Sequence, residues 1–255
     1  MKIAIFGVGF VGGALKRWLE AYTDHTLVFY DPQKGFASYD ASGIAVNFIC
    51  VPVPTIENGD LELSNLIGCL KLIRGHAMPK NQPVFIRSTI LPGTNKFLQE
   101  WFPELSIYPM PEFLNERNAF KDMERNDIIV GDNGKNHDLL TSIFPGKKLL
   151  HMQPDEATMA KYAHNCLGAS KVNLCNVIHD QCQQLKIRYE KVRQGFLMTG
   201  HVDPLMTLVP GPDGKMGYGG SCYTKDMEAF AAFTNAESIK ATVKENEQFR
   251  GGKDE

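Results

Sequence analysis

Cys222 stands in the run Gly217-Tyr218-Gly219-Gly220-Ser221-Cys222-Tyr223-Thr224-Lys225-Asp226, a glycine-dense loop that leads into a helical pattern. Glycine admits backbone conformations closed to other residues and lets a ligand approach closely. A helix N-terminus and the nearby Lys225 both favour the thiolate, so the spacing predicts an exposed nucleophile. The other five cysteines fall elsewhere: Cys50 ends an apolar strand, Cys69 lies in an amphipathic helix, and Cys166, Cys175 and Cys182 share one long helical pattern. Those positions suit a thiol that packs as a small apolar side chain.

A second chemical signature opens the chain. Lys2-Ile3-Ala4-Ile5-Phe6 reads as a short strand, Gly7-Val8-Gly9-Phe10-Val11-Gly12 as a turn, and Ala14 to Leu19 as the start of a helix. A second apolar run, Thr26 to Tyr30, ends in Asp31, about 20 residues beyond the glycines, where a dinucleotide site needs an acid. Gly7 allows the tight turn, Gly9 leaves room for a pyrophosphate at the helix N-terminus, and Gly12 lets helix and strand pack closely. Asp31 accepts from ribose hydroxyls and repels a 2′-phosphate, which favours NAD over NADP; Lys34 pulls the other way.

These groups need a frame. The alternation continues through Ala45 to Val51, a helical stretch from Leu63 to Arg74, and Pro83 to Arg87, which predicts a doubly wound parallel sheet of the Rossmann type over residues 1–152. Ligands bind such sheets at the carboxyl ends of strands, which here carry Val51-Pro52-Val53-Pro54-Thr55 and Ser88-Thr89-Ile90-Leu91-Pro92-Gly93-Thr94. Asp127 to Gly131 and Lys148 to Leu150 are expected as closing strands. Glu112 and Glu116, four residues apart in Pro111-Glu112-Phe113-Leu114-Asn115-Glu116, would share a face of a helix.

From Asp155 the period becomes helical for about thirty residues, with Met159, Tyr162, Cys166, Leu174 and Ile178 on the apolar repeat. So long a helix predicts a spine for an all-helical second domain over residues 153–255 and the interface of a homodimer. Lys161 and Asn165 lie one turn apart on it and point the same way.

With 255 residues, 43% of them hydrophobic, and a net charge of −2, the chain has the composition of a globule with no polyanion partner. No leader is read ahead of Lys2, no apolar stretch approaches membrane-spanning length, and the cysteines lack metal-ligand spacing. A reduced, cytoplasmic protein without a metal is expected.

Taken in order, Gly7-x-Gly9-x-x-Gly12, Val51-Pro52-Val53-Pro54-Thr55, Ser88-Thr89-x-x-Pro92-Gly93-Thr94, Pro111-Glu112-Phe113-Leu114-x-Glu116, Glu156-x-x-x-x-Lys161-Tyr162-x-x-Asn165 and Gly217 to Asp226 resemble the nucleotide-sugar 6-dehydrogenases, the UDP-glucose and GDP-mannose dehydrogenases, over nearly the whole chain. The resemblance implies NAD-dependent oxidation of a sugar C6 alcohol to a carboxylate, as from UDP-glucose to UDP-glucuronate, supplying polysaccharide precursors. It implies that Cys222 is the nucleophile, that Lys161 and Asn165 position the reacting oxygen, and that Asp226 with Thr89 handles protons. Glu112 and Glu116 match acids for thioester hydrolysis and for sugar and cofactor contacts. The cofactor would touch Gly7, Gly9, Phe10, Val11, Gly12, Asp31, Lys34, Val51, Pro52, Thr55, Ser88, Thr89, Glu116 and Lys225. The sugar would meet Glu112, Phe113, Leu114, Lys161, Asn165, Gly217, Tyr218 and Gly219.

Three departures stand out. Family members continue into a further nucleotide-gripping domain, whose absence is expected here. Asp203 to Leu208 lacks the arginine many members use to reach the sugar across the dimer, with Lys215 as a candidate replacement, and Arg117 stands where many have glycine. Two other readings are a β-hydroxyacid dehydrogenase that uses Lys161 and needs no Cys222 loop, and an NAD-binding chain inactive without a partner that supplies the missing domain.

Overall fold

The computed structural model describes residues 1–76, 82–115 and 117–251. The chain divides into two compact units, Met1–Pro54 with Leu61–Lys161, and Thr55–Asp60 with Tyr162–Glu255.

The first unit is built on a five-stranded, wholly parallel sheet of β1 (Lys2–Phe6), β2 (Thr26–Tyr30), β3 (Ile44–Ile49), β4 (Pro83–Ile86) and β5 (Ser106–Pro109), in the order β2-β1-β3-β4-β5. Strand order reverses between β1 and β3, so their carboxyl ends open the crevice where such sheets bind ligands. Successive side chains of β1 point to opposite faces: Ala4 and Phe6 pack with Leu66, Leu70, Ile73 and Leu98, while Ile3 and Ile5 pack with Leu15, Trp18, Leu19 and Phe144. The helices packed on these faces are α1 (Phe10–Tyr22), α2 (Ser64–Gly75), α3 (Thr94–Trp101), α4 (Ala119–Arg125), which adds Met123, and α5 (His137–Ile143), which adds Leu140 and Ile143. Both faces of the sheet are therefore covered, as parallel sheets require.

The expected closing strands, β6 (Ile128–Val130) and β7 (Leu149–His151), form a parallel pair of their own. The link to β5 is a single bond in which the Gly131 N–H donates to the Pro109 carbonyl at 2.8 Å. Only glycine fits at 131, since a Cβ there would meet Pro154 Cα at 2.7 Å.

The 31-residue helix α6 (Pro154–Gln184) starts in the first unit and continues into the second. Proline opens it, Asp155 and Glu156 occupy its positive end, and Glu156 accepts from the Gln153 N–H at 2.8 Å. The second unit adds α7 (Tyr189–Leu197), α8 (Ser221–Thr234) and α9 (Glu237–Gly251). Thr55–Asp60 completes it: Thr55 Oγ1 donates to Glu228 Oε2 at 2.9 Å, and Gly59 (φ +85°) lies so close to Ala232 that a Cβ would come within 2.6 Å. No described helix is long and apolar enough to cross a membrane.

Candidate active site

The glycine turn after β1 has a separate reason for each glycine. Gly7 takes φ +82° and sits against the end of β3, where a Cβ would be 2.7 Å from the Cys50 carbonyl oxygen. A Cβ on Gly12 would fall 1.9 Å from the Gly7 oxygen, whereas one on Gly9 would meet nothing within 4 Å. Gly9 therefore leaves a gap in front of the first turn of α1, which holds no acidic side chain and presents unpaired N–H groups. Asp31 Oδ2 accepts from the Val8 N–H at 2.8 Å and Lys34 Nζ donates to the Val8 carbonyl, so both side chains flank the turn. A gap, an anion-seeking helix end and a carboxylate at the tip of β2 fit a dinucleotide. Phe10 and Val11 begin α1 at the same place.

Beyond β3 and β4 the loops are tied together, since Ser88 Oγ donates to the Val51 carbonyl at 2.6 Å. Pro52 is exposed beside it. Thr89 and Lys161 line one shallow recess with Ile86, Ser88, Pro109 and Thr158. The segment from Pro111 is not helical, so Glu112 is fixed by its own contacts: Oε2 accepts from the Leu114 N–H at 2.7 Å and Oε1 lies 3.2 Å from Lys161 Nζ. The same ammonium donates to the Glu112 carbonyl at 2.6 Å and lies 5.4 Å from the centre of the Phe113 ring. Glu116 lies outside the described residues.

Arg87, at the end of β4, escaped notice in the sequence because it looked like the last residue of a strand. It is buried, its Nη2 faces Met123 Sδ at 3.8 Å, and its Nε and Nη1 have no hydrogen-bond partner among the described residues. Burial pushes its pKa down, while the neighbouring Cys50 and Glu112 push it up. The Cys50 thiol is itself driven to about 12 by burial, as are Cys69 and Cys166.

In the second unit Asn165, on α6, donates from Nδ2 to Asp226 Oδ2 at 2.5 Å, and Lys225 Nζ pairs with Asp226 Oδ1. Asp226 is wholly buried, so its charge is held between an amide and an ammonium. Four residues earlier on α8, Cys222 occupies the first turn, its Sγ 3.9 Å from Ser221 Oγ. Gly220 caps the helix at φ 82°, ψ 158°, a region open essentially to glycine alone. The next residue, Tyr223, packs where Gly168 of α6 offers space, a Cβ on which would stand 2.4 Å from the Tyr223 hydroxyl.

Gly217 and Tyr218 are buried, and Lys215 is exposed in a turn organised by Asp213, whose Oδ1 accepts from the Lys215 N–H at 3.1 Å. Asn176, Asn246 and Arg250 also touch this loop and were not singled out in the sequence. They lie 28 to 41 residues away along the chain, and an asparagine or arginine on a helix carries no local mark of such a role.

The residues thus assemble as two clusters. Gly7 to Gly12, Asp31, Lys34, Val51, Pro52, Ser88, Thr89, Glu112 to Leu114 and Lys161 belong to the first unit, and Thr55, Asn165, Lys215, Gly217 to Gly219, Cys222, Lys225 and Asp226 to the second. Among the described residues no group of three or more His, Cys, Asp or Glu side chains could hold a metal ion.

Two stretches of the chain match models of one known family. The NAD binding domain of the UDP-glucose/GDP-mannose dehydrogenase family matches residues 34–145, and the central domain of that family matches residues 155–248. A UDP-glucose 6-dehydrogenase of Bacillus subtilis is 28% identical over 230 residues, covering 84% of this chain and 50% of that protein. A GDP-mannose 6-dehydrogenase of Pseudomonas aeruginosa is 26% identical, covering 90% of this chain and 63% of that one. A UDP-glucose dehydrogenase from the archaeon Pyrobaculum islandicum superposes with a TM-score of 0.81 at 22% identity, over 96% of this chain and 68% of its own, a likeness of fold. The chain spans about half the length of the Bacillus relative it matches. Two adjoining domain matches, in the right order and over most of the sequence, place this chain in the UDP-glucose/GDP-mannose dehydrogenase family.

Proposed function

We propose that this chain oxidises the C6 alcohol of a nucleotide sugar, UDP-glucose first among candidates, to the carboxylate, with Cys222 as covalent nucleophile. The observation that carries the reading is Cys222 itself, a thiol in the first turn of α8 behind a glycine that only glycine can replace, within the region matched by the family's central domain. When bound, NAD accepts the hydride in each of the two oxidations.

The alcohol loses a hydride from C6 and a proton from O6, leaving an aldehyde. Cys222 adds to that aldehyde and forms a C–S bond, giving a thiohemiacetal; loss of a second hydride and a second proton gives a thioester. Water attacks the thioester, the C–S bond breaks, and the thiol and a carboxylate are released. Lys161 and Asn165 orient the reacting oxygen and stabilise its negative charge, Asn165 through the Nδ2 hydrogen left over from Asp226. Asp226 and Thr89 carry the protons, with Glu112 and Glu116 serving hydrolysis. Gly9 and the N-terminus of α1 take the pyrophosphate, Asp31 the ribose, and Lys225 and Thr55 complete the cofactor contacts.

The remaining expectations accompany this proposal: a cytoplasmic role in polysaccharide precursor synthesis, and a homodimer. The dimer is supported by an exposed apolar stripe on α6, where Leu167, Leu174 and Val177 recur at helical spacing. A second copy presenting the same stripe would cover it, and Leu167→Glu with Leu174→Glu should then yield a monomer by sedimentation.

The deciding experiment is stoichiometry. Two NADH per UDP-glucose consumed, lost in Cys222→Ala, is the expected result; one NADH per sugar, or undiminished turnover in the variant, overturns the reading.

A further inference from the structure

We infer that Arg250, with Asn246 one turn before it on α9, is a positioning residue that fixes the path of the loop carrying Cys222; its consequence for turnover rests on the nucleophile reading above. The loop has few means of holding itself. Gly217, Gly219 and Gly220 bring no side chains, and Gly217 and Gly220 both have positive φ, at 72° and 82°. Its backbone is anchored from outside instead.

The Gly217 N–H donates to Asn176 Oδ1 at 2.9 Å, the Tyr218 N–H donates to Asn246 Oδ1 at 2.8 Å, and Asn246 Nδ2 returns a bond to the Tyr218 carbonyl at 3.0 Å. Arg250 adds three contacts with one planar group. Its Nε donates to the same Tyr218 carbonyl at 2.9 Å, and its Nη1 meets Asp213 Oδ2 at 2.6 Å. Its Nη2 lies where Gly219 has no side chain, 1.8 Å from the position a Cβ would take. One guanidinium therefore joins the Asp213 turn to the Gly217–Gly220 backbone three residues before the thiol.

Geometry separates this role from a mere brace for α9. The two donors must be coplanar and point to different acceptors, while the Nη2 end lies against a glycine. Arginine meets all three conditions, and the tetrahedral ammonium of lysine does not. The requirement is also reciprocal: a methyl on Gly219 displaces the guanidinium as surely as shortening the arginine removes it.

The test uses the full chain with a nitroxide attached at Cys222, the other five cysteines being buried, together with hydrogen exchange of the amides from 217 to 222. In Arg250→Lys and in Gly219→Ala the label should become mobile and the Gly217 and Tyr218 amides should exchange at least about tenfold faster. With UDP-glucose, kcat in the unlabelled variants should fall by at least about tenfold, with KM for NAD changed less than about twofold, because small misplacements of a reacting group act on kcat. The double variant should add little to either single one.

A label as immobile in both single variants as in the parent, or full rescue by lysine, overturns the inference. Should Cys222→Ala keep full turnover while the label is freed, the nucleophile reading falls and the clamp stands. Should Cys222→Ala abolish turnover while Arg250→Lys and Gly219→Ala keep it, the reverse holds.

Discussion

Lys161 Nζ lies 2.6 Å from the carbonyl oxygen of Glu112 and 3.2 Å from its Oε1, with both side chains almost wholly removed from water. The pair ties α6 to the loop after β5 with opposite charges, so each charge depends on the other. Breaking a buried pair from one side leaves an uncompensated ion and costs about 3–5 kcal/mol, whereas replacing both partners costs far less. Lys161→Met should therefore lower stability by about that amount, and Lys161→Met with Glu112→Gln should recover most of it. Urea unfolding of the two singles and the double checks this, and strict additivity would show that the pair is not coupled.

The glycine turn separates folding from ligand binding. Gly12→Ala places a methyl 1.9 Å from the Gly7 oxygen and should destabilise by several kcal/mol or prevent folding. Gly9→Ala meets nothing within 4 Å and has negative φ, −77°, so its thermal midpoint should stay within about 2 °C of the parent. Its NAD affinity should nevertheless fall by about tenfold or more, since the methyl fills the gap before α1. Calorimetric titration with NAD beside thermal unfolding reads both effects.

Thiol reagents should discriminate sharply among the six cysteines. Burial holds Cys50, Cys69 and Cys166 at about 12, so at pH 8 only about one in ten thousand of each is thiolate. Cys175 and Cys182 are buried as well. One thiol per chain should react quickly in the native protein and six in denaturant, and Cys222→Ala should remove the fast phase. Two or more fast thiols in the native state would contradict the burial.

Asp132 should make stability depend on acid pH. Burial raises its pKa, but hydrogen bonds from His151, Gly134 and Asn136 outweigh it and leave the carboxyl below its ordinary value. An unfolded aspartate takes its proton near pH 4. The stabilisation is thus complete above about pH 4 and is lost as pH falls through the lower, folded value. Asp132→Asn should cost about 1–3 kcal/mol at pH 7 and flatten the acid limb of the stability curve below about pH 4.

Much of the frame was legible before any coordinates. Strands β1 to β4, α2 and the long helix lie within two residues of where periodicity put them, because each is a continuous apolar run or a sustained helical repeat. Strand β5 was missed: four residues long, with serine first and proline last, it has only Ile107 and Tyr108 to signal it. The spacing of Glu112 and Glu116 invited a helix that does not form, since Pro111 and the Glu112 contact to its own loop at Leu114 stabilise an irregular path. Trp101 is 54% exposed on the last turn of α3, its ring centre 4.6 Å from that of Phe97.

Among the candidate site residues, those with chemical reputations stand out in the sequence, and those that contact them do not. Cys222, Lys161 and Asp226 announce themselves by type and neighbours. Asn176, Asn246 and Arg250 hold backbone atoms that the fold brings to them from far along the chain, and Arg87 meets the Met123 sulfur 36 residues away.

Because Thr55–Asp60 packs with residues that come more than a hundred positions later, neither compact unit is one uninterrupted stretch of the chain. A single recombination breakpoint inside α6 would leave Glu228 without the Thr55 hydroxyl and uncover the surface of Ala232 against which Gly59 packs. Exchange of the cofactor half for another lineage's version would succeed only where that short insert travels back with its helices.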